Sequence, residues 1–382
     1  MKQSITILFL VLVTLVSVSQ EKLDYFLPTD VSYDKSIPTP EQFFGQEVGE
    51  WHLTHNQVLF YMKEIARVSK RATIEEYARS WENRQLVHLI FTAEKNNERL
   101  EELKALHIKH ASPDENISNS EVPLVINLGY GVHGNESSAT NSSVLTAYYL
   151  AAAQGEKIDI LLNQAIILVD PCLNPDGFTR HSTWANMHQS ETTSGDNNSR
   201  QFDEVWPGGR GNHYWFDLNR DYLLLVHPET TGRVATFYEW LPNIVTDHHE
   251  MGANSTFFFQ PGVPSRNNPL TPENNYILTR KIADYHARYL DKIGSPYFSE
   301  EQFDDYYFGK GSSYPDINGS VGILFEQAGF RGRVRETSNG TKKLAYGIKN
   351  QFTVTLSTLD AAIDLKEELL DHQKEFYNEA LE

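Results

Sequence analysis

Short apolar runs separated by helical segments constrain the fold of this chain more than any other feature. The runs occupy residues 84–93, 122–128, 165–170, 242–252 and 319–329. The run AIILVD at 165–170 is continuously apolar, as is typical of a strand buried on both faces of a parallel sheet. The alternation predicts an α/β fold with a single mixed, mostly parallel, twisted sheet and helices on both faces.

Helical periodicity marks the segments between these runs. It predicts helices at 54–69 and 96–110, a helix after residue 136, and a long closing helix from about Lys342. A further helix is predicted at 271–294, with Thr271 as its amino-terminal cap and Gly294 as its stop. Residues 178–216 are polar and are expected to contain a long irregular region.

The amino terminus has the pattern of a secretory signal. Lys2 precedes an apolar stretch from Ile5 to Val18, and small serines precede Gln20. The alternative is a membrane anchor, but the stretch is short for a bilayer span. We expect a signal peptide at 1–19, an extended lead-in at 20–50 and a catalytic domain at 51–382. The mature protein is then secreted or periplasmic, without membrane insertion.

Charge and cysteine content narrow the possible partners. The formal net charge of -18 argues against a nucleic-acid partner and indicates an acidic surface. Cys172 is the only cysteine, so an intramolecular disulfide is impossible and a small buried residue is expected there.

Three His-x-x-Glu matches occur, and their surroundings differ. The pair at 372 lies in a charged helical tail, and the pair at 188 lies in a polar stretch. Only His133 and Glu136 follow an apolar strand, with glycines around them. They therefore lie on a strand-to-helix turn, where the carboxyl end of a strand presents functional groups.

Two other predicted strands end in residues suited to the same chemistry. His249 ends the strand at 242–252, and Glu326 ends the strand at 319–329. Two His and one Glu as ligands leave an open position on Zn²⁺, which is the arrangement of hydrolytic zinc sites. A Glu that is not a ligand can then accept the proton of the attacking water.

With these motifs in this order, the chain resembles the zinc metallocarboxypeptidases of the carboxypeptidase A/B type, as a divergent, bacterial-looking branch. The resemblance extends from about Trp51 to Asp360, and its most specific part is GRGNHYWFDLNRDY, ending at Tyr222. It implies one zinc ion held by His133, Glu136 and His249, with His248 as a neighbour.

The resemblance also implies the remaining roles. Glu326 is the general base, and Arg210 stabilises the oxyanion. Asn219 and Arg220 hold the terminal carboxylate of a peptide substrate, which makes the enzyme cut at free C-terminal ends. Tyr307, which is better aligned than Tyr306, is the further substrate-binding residue. Asp217 is expected to orient His133.

Two alternatives stay open at this point. Relatives with the same fold remove acyl groups from amino acids or trim peptidoglycan stems, and Asn219 and Arg220 favour a peptide without excluding these. A catalytically inactive carboxylate-binding module is the second alternative. The full set of metal ligands together with Glu326 argues against it.

Overall fold

The structure is a computed structural model of the 382-residue chain and describes residues 22–113 and 115–381. The predicted signal peptide at 1–19 lies outside the described residues. The expected processing site before Gln20 therefore stays a prediction.

The described residues form twelve β-strands and eleven α-helices. The strands are β1 (Ser32–Tyr33), β2 (Ala72–Arg79), β3 (Gln85–Phe91), β4 (Leu124–Tyr130), β5 (Ala153–Gln154), β6 (Ala165–Asp170), β7 (Ile244–Met251), β8 (Phe257–Phe259), β9 (Tyr297–Phe298), β10 (Val321–Ala328), β11 (Val334–Thr337) and β12 (Gly340–Lys343). The α-helices are α1 (Pro40–Phe44), α2 (His55–Val68), α3 (Glu94–Asn97), α4 (Leu100–Ala111), α5 (Ser137–Ala152), α6 (Glu156–Gln164), α7 (Pro175–Met187), α8 (Pro228–Trp240), α9 (Glu273–Ile293), α10 (Leu344–Asp364) and α11 (Lys366–Glu379).

The main sheet has the strand order β2-β3-β6-β4-β7-β10-β8-β9. Its four central strands, β6, β4, β7 and β10, run parallel, while β2, β3 and β8 pair antiparallel with their neighbours towards the centre. Two small ribbons, β1-β5 and β11-β12, lie apart from it. The predicted mixed, mostly parallel sheet is confirmed.

Helices cover both faces of this sheet. Side chains alternate along β4, so Leu124 and Ile126 face one core and Val125 faces another. The larger core includes apolar residues of α2, α5 and α10, and the second includes Leu100 and Leu103 of α4. Burial on both faces explains why the central strands are nearly continuous apolar runs.

Several predicted boundaries are wrong in detail. Helix α9 ends at Gly294 in a left-handed conformation, as predicted, but its amino-terminal cap is Pro272 rather than Thr271. The closing helix is two helices that meet at Leu365, and Lys342 belongs to β12. The irregular region predicted within 178–216 is present, but it begins only after α7, which ends at Met187 and whose Phe178 is fully buried.

The predicted lead-in packs against the domain. It contains β1 and α1, and its side chains Phe26, Leu27, Ile37 and Val48 are buried in the larger core. Within residues 22–113 and 115–381, no helix is both long and apolar enough to span a bilayer.

Helix α8 begins with the buried carboxyl of Glu229, which should make the stability of the fold depend on pH. Burial raises the pKa of Glu229 to about 7, so the folded state favours the protonated form. Stability from this group is present at low pH and is lost as pH rises towards 7. Glu229→Gln should therefore gain about 1 to 2 kcal/mol over wild type between pH 5 and pH 8, measured as urea unfolding at fixed zinc concentration. Exposed Glu191→Gln is the control, and a pH-independent difference would contradict this assignment.

Candidate metal centre

The central strands β4, β7 and β10 are adjacent and parallel, so their carboxyl ends meet at one edge of the sheet. His133 and Glu136 lie in the turn between β4 and α5, and Glu136 is the residue that precedes α5. Gly134 allows a close approach at this turn, because an added Cβ would lie 2.1 Å from the backbone nitrogen of Phe178. The chain around the two side chains is therefore closely packed.

Three side chains converge at this edge. The Nδ1 atoms of His133 and His249 lie 3.1 Å apart. Glu136 Oε1 lies 2.9 Å from His133 Nδ1, and Glu136 Oε2 lies 2.9 Å from His249 Nδ1. All three residues are buried, and their ligand atoms lie within 4.8 Å of one another.

A carboxylate stands behind each imidazole. Asp217 Oδ1 lies 2.8 Å from His133 Nε2, and Asp247 Oδ2 lies 2.8 Å from His249 Nε2. The hydrogen bond to Asp217 places the ring proton of His133 on Nε2, and Asp247 lies where it would favour the same tautomer of His249. With a metal bound, each Nδ1 would then present its lone pair to the centre of the group.

This arrangement fits a zinc ion. Two Nδ1 lone pairs that face each other at 3.1 Å repel unless a cation lies between them. Tetrahedral zinc with Zn–N bonds of 2.0–2.1 Å would require an N···N separation of about 3.3 Å. The spacing and chemistry of the donors therefore match a metal site.

The local electrostatics favour positive charge. Burial lowers the pKa of His249, but Asp247 and Glu136 outweigh it and hold that pKa well above its ordinary value. Burial raises the pKa of Glu136, yet His133 and His249 hold it well below its ordinary value. An anionic carboxylate among these groups is a suitable ligand for a divalent cation.

The adjacent histidine, His248, faces the opposite side of the sheet. Its ring stacks on Tyr130 at 4.4 Å, and its Nδ1 lies 2.8 Å from Gln351 Oε1. Because successive side chains of a strand alternate, His248 and His249 cannot both reach the group.

Glu326 lies directly across from His249 in the parallel pair β7-β10. Residues in register on neighbouring strands project from the same face, so the Glu326 carboxyl lies beside the His-Glu-His group. Burial raises the pKa of Glu326 to about 8, which His249 opposes and Glu136 reinforces. A cation at the group would favour the ionised carboxylate.

Arg210 lies over the ligands. Its Nη1 donates to Glu136 Oε1 and its Nη2 donates to Asp217 Oδ2, each at 3.0 Å. The guanidinium is about half exposed, with 49% of the side chain accessible, so it is open to an incoming molecule.

The three predicted substrate-binding residues differ in exposure. Arg220 is exposed and donates to the carbonyl oxygen of Asn219 at 2.6 Å. Asn219 is buried: its Oδ1 accepts from the Gly311 backbone N–H at 2.7 Å, and its Nδ2 lies 3.1 Å from His249 Nε2. Tyr307 is 39% exposed and precedes Gly311 in the same loop. The structure thus joins that loop to the site through Asn219.

Two residues of the site were missed at the sequence level. Asp247 could have been found, because it lies two positions before His249 and so shares its face of the strand. Glu204 gave no such signal. Its carboxylate accepts from Asn135 Nδ2 at 3.0 Å and from the Gly209 backbone N–H at 3.1 Å, and so ties the ligand turn to the Arg210 segment.

Fold and site together define an α/β protein with a buried His-Glu-His group, suited to hold a metal ion, at the carboxyl edge of its sheet. The family model described as zinc carboxypeptidase matches residues 58–371, and the chain belongs to that family. The family predicted from the sequence is confirmed. No curated protein matches the chain.

Solved structures of carboxypeptidases share the fold. A metallo-carboxypeptidase from Burkholderia cenocepacia superposes with a TM-score of 0.56 at 11% identity, covering 81% of this chain and 69% of its own. Carboxypeptidase A from Helicoverpa armigera gives 0.52 at 15% identity, with coverages of 88% and 76%. Bovine thrombin-activatable fibrinolysis inhibitor, solved with tick carboxypeptidase inhibitor, gives 0.52 at 11% identity, with coverages of 84% and 98%. At these identities the likeness supports the fold alone.

Proposed function

We propose that this chain is a zinc metallocarboxypeptidase that hydrolyses C-terminal amino acids from peptides. The observation that carries the proposal is the pair of facing Nδ1 atoms, 3.1 Å apart and bridged by Glu136, with Glu326 in register beside them. A zinc ion held by His133, Glu136 and His249 would supply Lewis-acid chemistry, lowering the pKa of water and polarising a carbonyl.

Glu326 is the proposed general base. Its position beside His249 lets its carboxylate take the proton of the attacking water and later deliver it to the leaving amine. Arg210 is proposed to donate to the carbonyl oxygen of the scissile bond as negative charge develops there. Its half-exposed guanidinium beside Glu136 supports this role.

Arg220, with the side-chain amide of Asn219, is proposed to bind the terminal carboxylate of the substrate. Exposure of Arg220 supports this role, since its guanidinium can turn from a backbone carbonyl towards a ligand. Tyr307 is proposed to close over the substrate from its exposed loop. We also propose export from the cytoplasm, on the signal-like residues 1–19.

The role of Arg220 gives a direct test of the carboxylate contact. Arg220→Ala should raise KM for peptides with a free C-terminus by about 10-fold or more with a smaller change in kcat, because it removes a contact made before and during the reaction. The penalty should disappear with C-terminally amidated peptides, which lack the charge that Arg220 binds. Steady-state kinetics on both peptides would measure it.

Arg280→Ala is the matched control, because Arg280 is an exposed arginine on α9 that pairs with Glu300. It should behave as the wild type on both peptides. A wild-type preference for amidated peptides would contradict the carboxylate contact and would favour an acyl-removing or endopeptidase reaction.

A further inference from the structure

Large apolar side chains are exposed densely in one segment of the chain. This segment, 205–226, presents an apolar rim that we define by the following residues: Val205, Trp206, Tyr214, Trp215, Leu223, Leu224, Leu225 and Val226. Trp206 is 75% exposed and Leu224 is 60% exposed. Elsewhere along the described chain, exposed large apolar residues are isolated in sequence, apart from the adjacent Tyr306 and Tyr307, and one of them, Trp81, packs against Tyr214 at 5.1 Å between ring centroids. Such a concentration marks a surface that binds something.

The aromatic half of the apolar rim is built on the same turn as the metal centre. Arg210 and Asp217 stand at the base of this turn, joined to each other at 3.0 Å, and Trp215 lies at its tip. Buried Asn212 closes the turn: its backbone N–H donates to Phe216 O at 3.0 Å, and its carbonyl accepts from Trp215 N at 3.0 Å. The exposed rings are therefore held on a rigid support.

The aliphatic half is fixed to the same support. His227, which follows Val226, lies with its Nδ1 3.0 Å from Asn212 Nδ2. The Asp221 carboxylate accepts from the backbone N–H groups of Val226 and His227, each at 3.1 Å. The two halves form one surface beside Arg210 and Arg220.

The backbone conformation at two rim positions is one that side chains other than glycine rarely adopt. Trp215 has a φ of 64° and Leu225 a φ of 50°. Left-handed backbone at non-glycine residues costs free energy and concentrates at ligand-binding positions. Here it holds apolar side chains outward, into solvent. The Trp206 and Trp215 rings also contact each other at 4.4 Å, forming one aromatic surface.

We propose that the apolar rim binds apolar side chains of the peptide substrate on the amino side of the scissile bond, an inference that rests on the proposed function. A carboxypeptidase binds a single residue on the carboxyl side of the scissile bond. The rest of the peptide lies on the amino side and must extend out of the site over the surrounding surface. An extended peptide spans roughly 3.3 Å per residue, so the residues before the bond extend beyond Arg210, which stands at the base of the turn that carries Trp215.

The composition of the apolar rim favours this ligand over a glycan or a membrane. The run from Leu223 to Val226 offers no side-chain hydrogen-bonding group to sugar hydroxyls. Among the charged side chains of the segment, Arg210 and Asp217 pair with each other at the metal centre, and Asp221 accepts from backbone N–H groups. Exposed Arg220 is the residue proposed to bind the terminal carboxylate of the peptide. The net charge of -18 opposes attraction to an anionic bilayer.

The test uses tetrapeptides with a common C-terminal dipeptide, preceded by either Leu-Trp or Ser-Asn. Zinc-loaded wild type should show a kcat/KM at least about tenfold higher for the apolar peptide. In the double variant Trp215→Asn, Leu224→Ser this ratio should fall below about threefold, chiefly through KM. Asn tolerates the left-handed backbone at 215, so the turn is retained. Ile160→Ser, an exposed apolar site on α6, should keep the wild-type ratio.

Binding measured by calorimetry separates this inference from the proposed function. If the apolar peptide binds through the rim but is not cleaved, the proposed function fails, while the rim keeps its role in binding apolar side chains of peptides. Equal cleavage of both peptides, or an unchanged ratio in the double variant, overturns the inference alone. It is also overturned if rim-dependent binding is found only with soluble peptidoglycan fragments or phosphatidylcholine vesicles. If the double variant unfolds, Leu224→Ser alone serves the same comparison.

Discussion

Glu326→Gln should fold and bind zinc as the wild type does, while its kcat on peptides with a free C-terminus falls by about 10²–10⁴-fold. Glutamine keeps the shape and a hydrogen-bonding group at this position beside His249 but cannot accept the proton of the attacking water. Steady-state kinetics with matched zinc content would measure the loss. Exposed Glu273→Gln is the control for removal of a carboxylate and should retain full activity.

Glu326→Gln should lose catalysis without losing peptide binding. Glu326→Gln should still bind a slowly cleaved peptide with nearly wild-type affinity, measured by calorimetry. Wild-type turnover in this variant would contradict the proposed role of Glu326.

His249→Ala should lose zinc almost completely. The variant removes one of three protein ligands and leaves the buried Asp247 carboxylate without its partner. Elemental analysis of purified protein should find close to one zinc per wild-type chain and less than about a tenth of that in the variant.

The neighbouring histidine supplies the control for this experiment. His248→Phe keeps an aromatic ring against Tyr130 on the opposite face of the sheet and should retain zinc. Circular dichroism would show whether each variant folds. If His249→Ala does not fold, Glu136→Gln changes a different proposed ligand and takes its place in the test. Retention of zinc by His249→Ala, with loss in His248→Phe, would reverse the assignment.

The sequence predicted the sheet and the meeting of His133, Glu136 and His249 at one edge of it, because both follow from local patterns. Buried parallel strands are nearly continuous apolar runs, and the polar residues at their carboxyl ends must meet at one edge. The same pattern predicted that His133, His249 and Glu326, which are far apart in the chain, lie close together in the fold.

Other features depend on contacts that no local pattern reveals. Helix α7 contains a glycine and several polar residues, and its Phe178 and His181 are buried against the rest of the domain. The tie from Glu204 to Asn135 joins residues far apart in the chain. At α9 the sequence offered Thr271 as a cap, but the helix begins after Pro272, whose side chain makes no capping hydrogen bond.

The apolar rim shows another limit of reading the sequence. An apolar run such as Leu223 to Val226 is typical of a buried segment, yet the structure exposes it. Only the position of the chain relative to Arg210 and Arg220 turns these side chains into a candidate binding surface.

The central claim is zinc-dependent removal of C-terminal residues, and mass spectrometry of the reaction products tests it most directly. The zinc-loaded protein would be incubated with a peptide bearing a free C-terminus and with its amidated counterpart, and again after chelation and after zinc is restored. We predict stepwise loss of single residues from the free C-terminus only, abolished by chelation and recovered with zinc. Internal cleavage, faster cleavage of the amide, or undiminished activity after complete removal of metal would contradict the account.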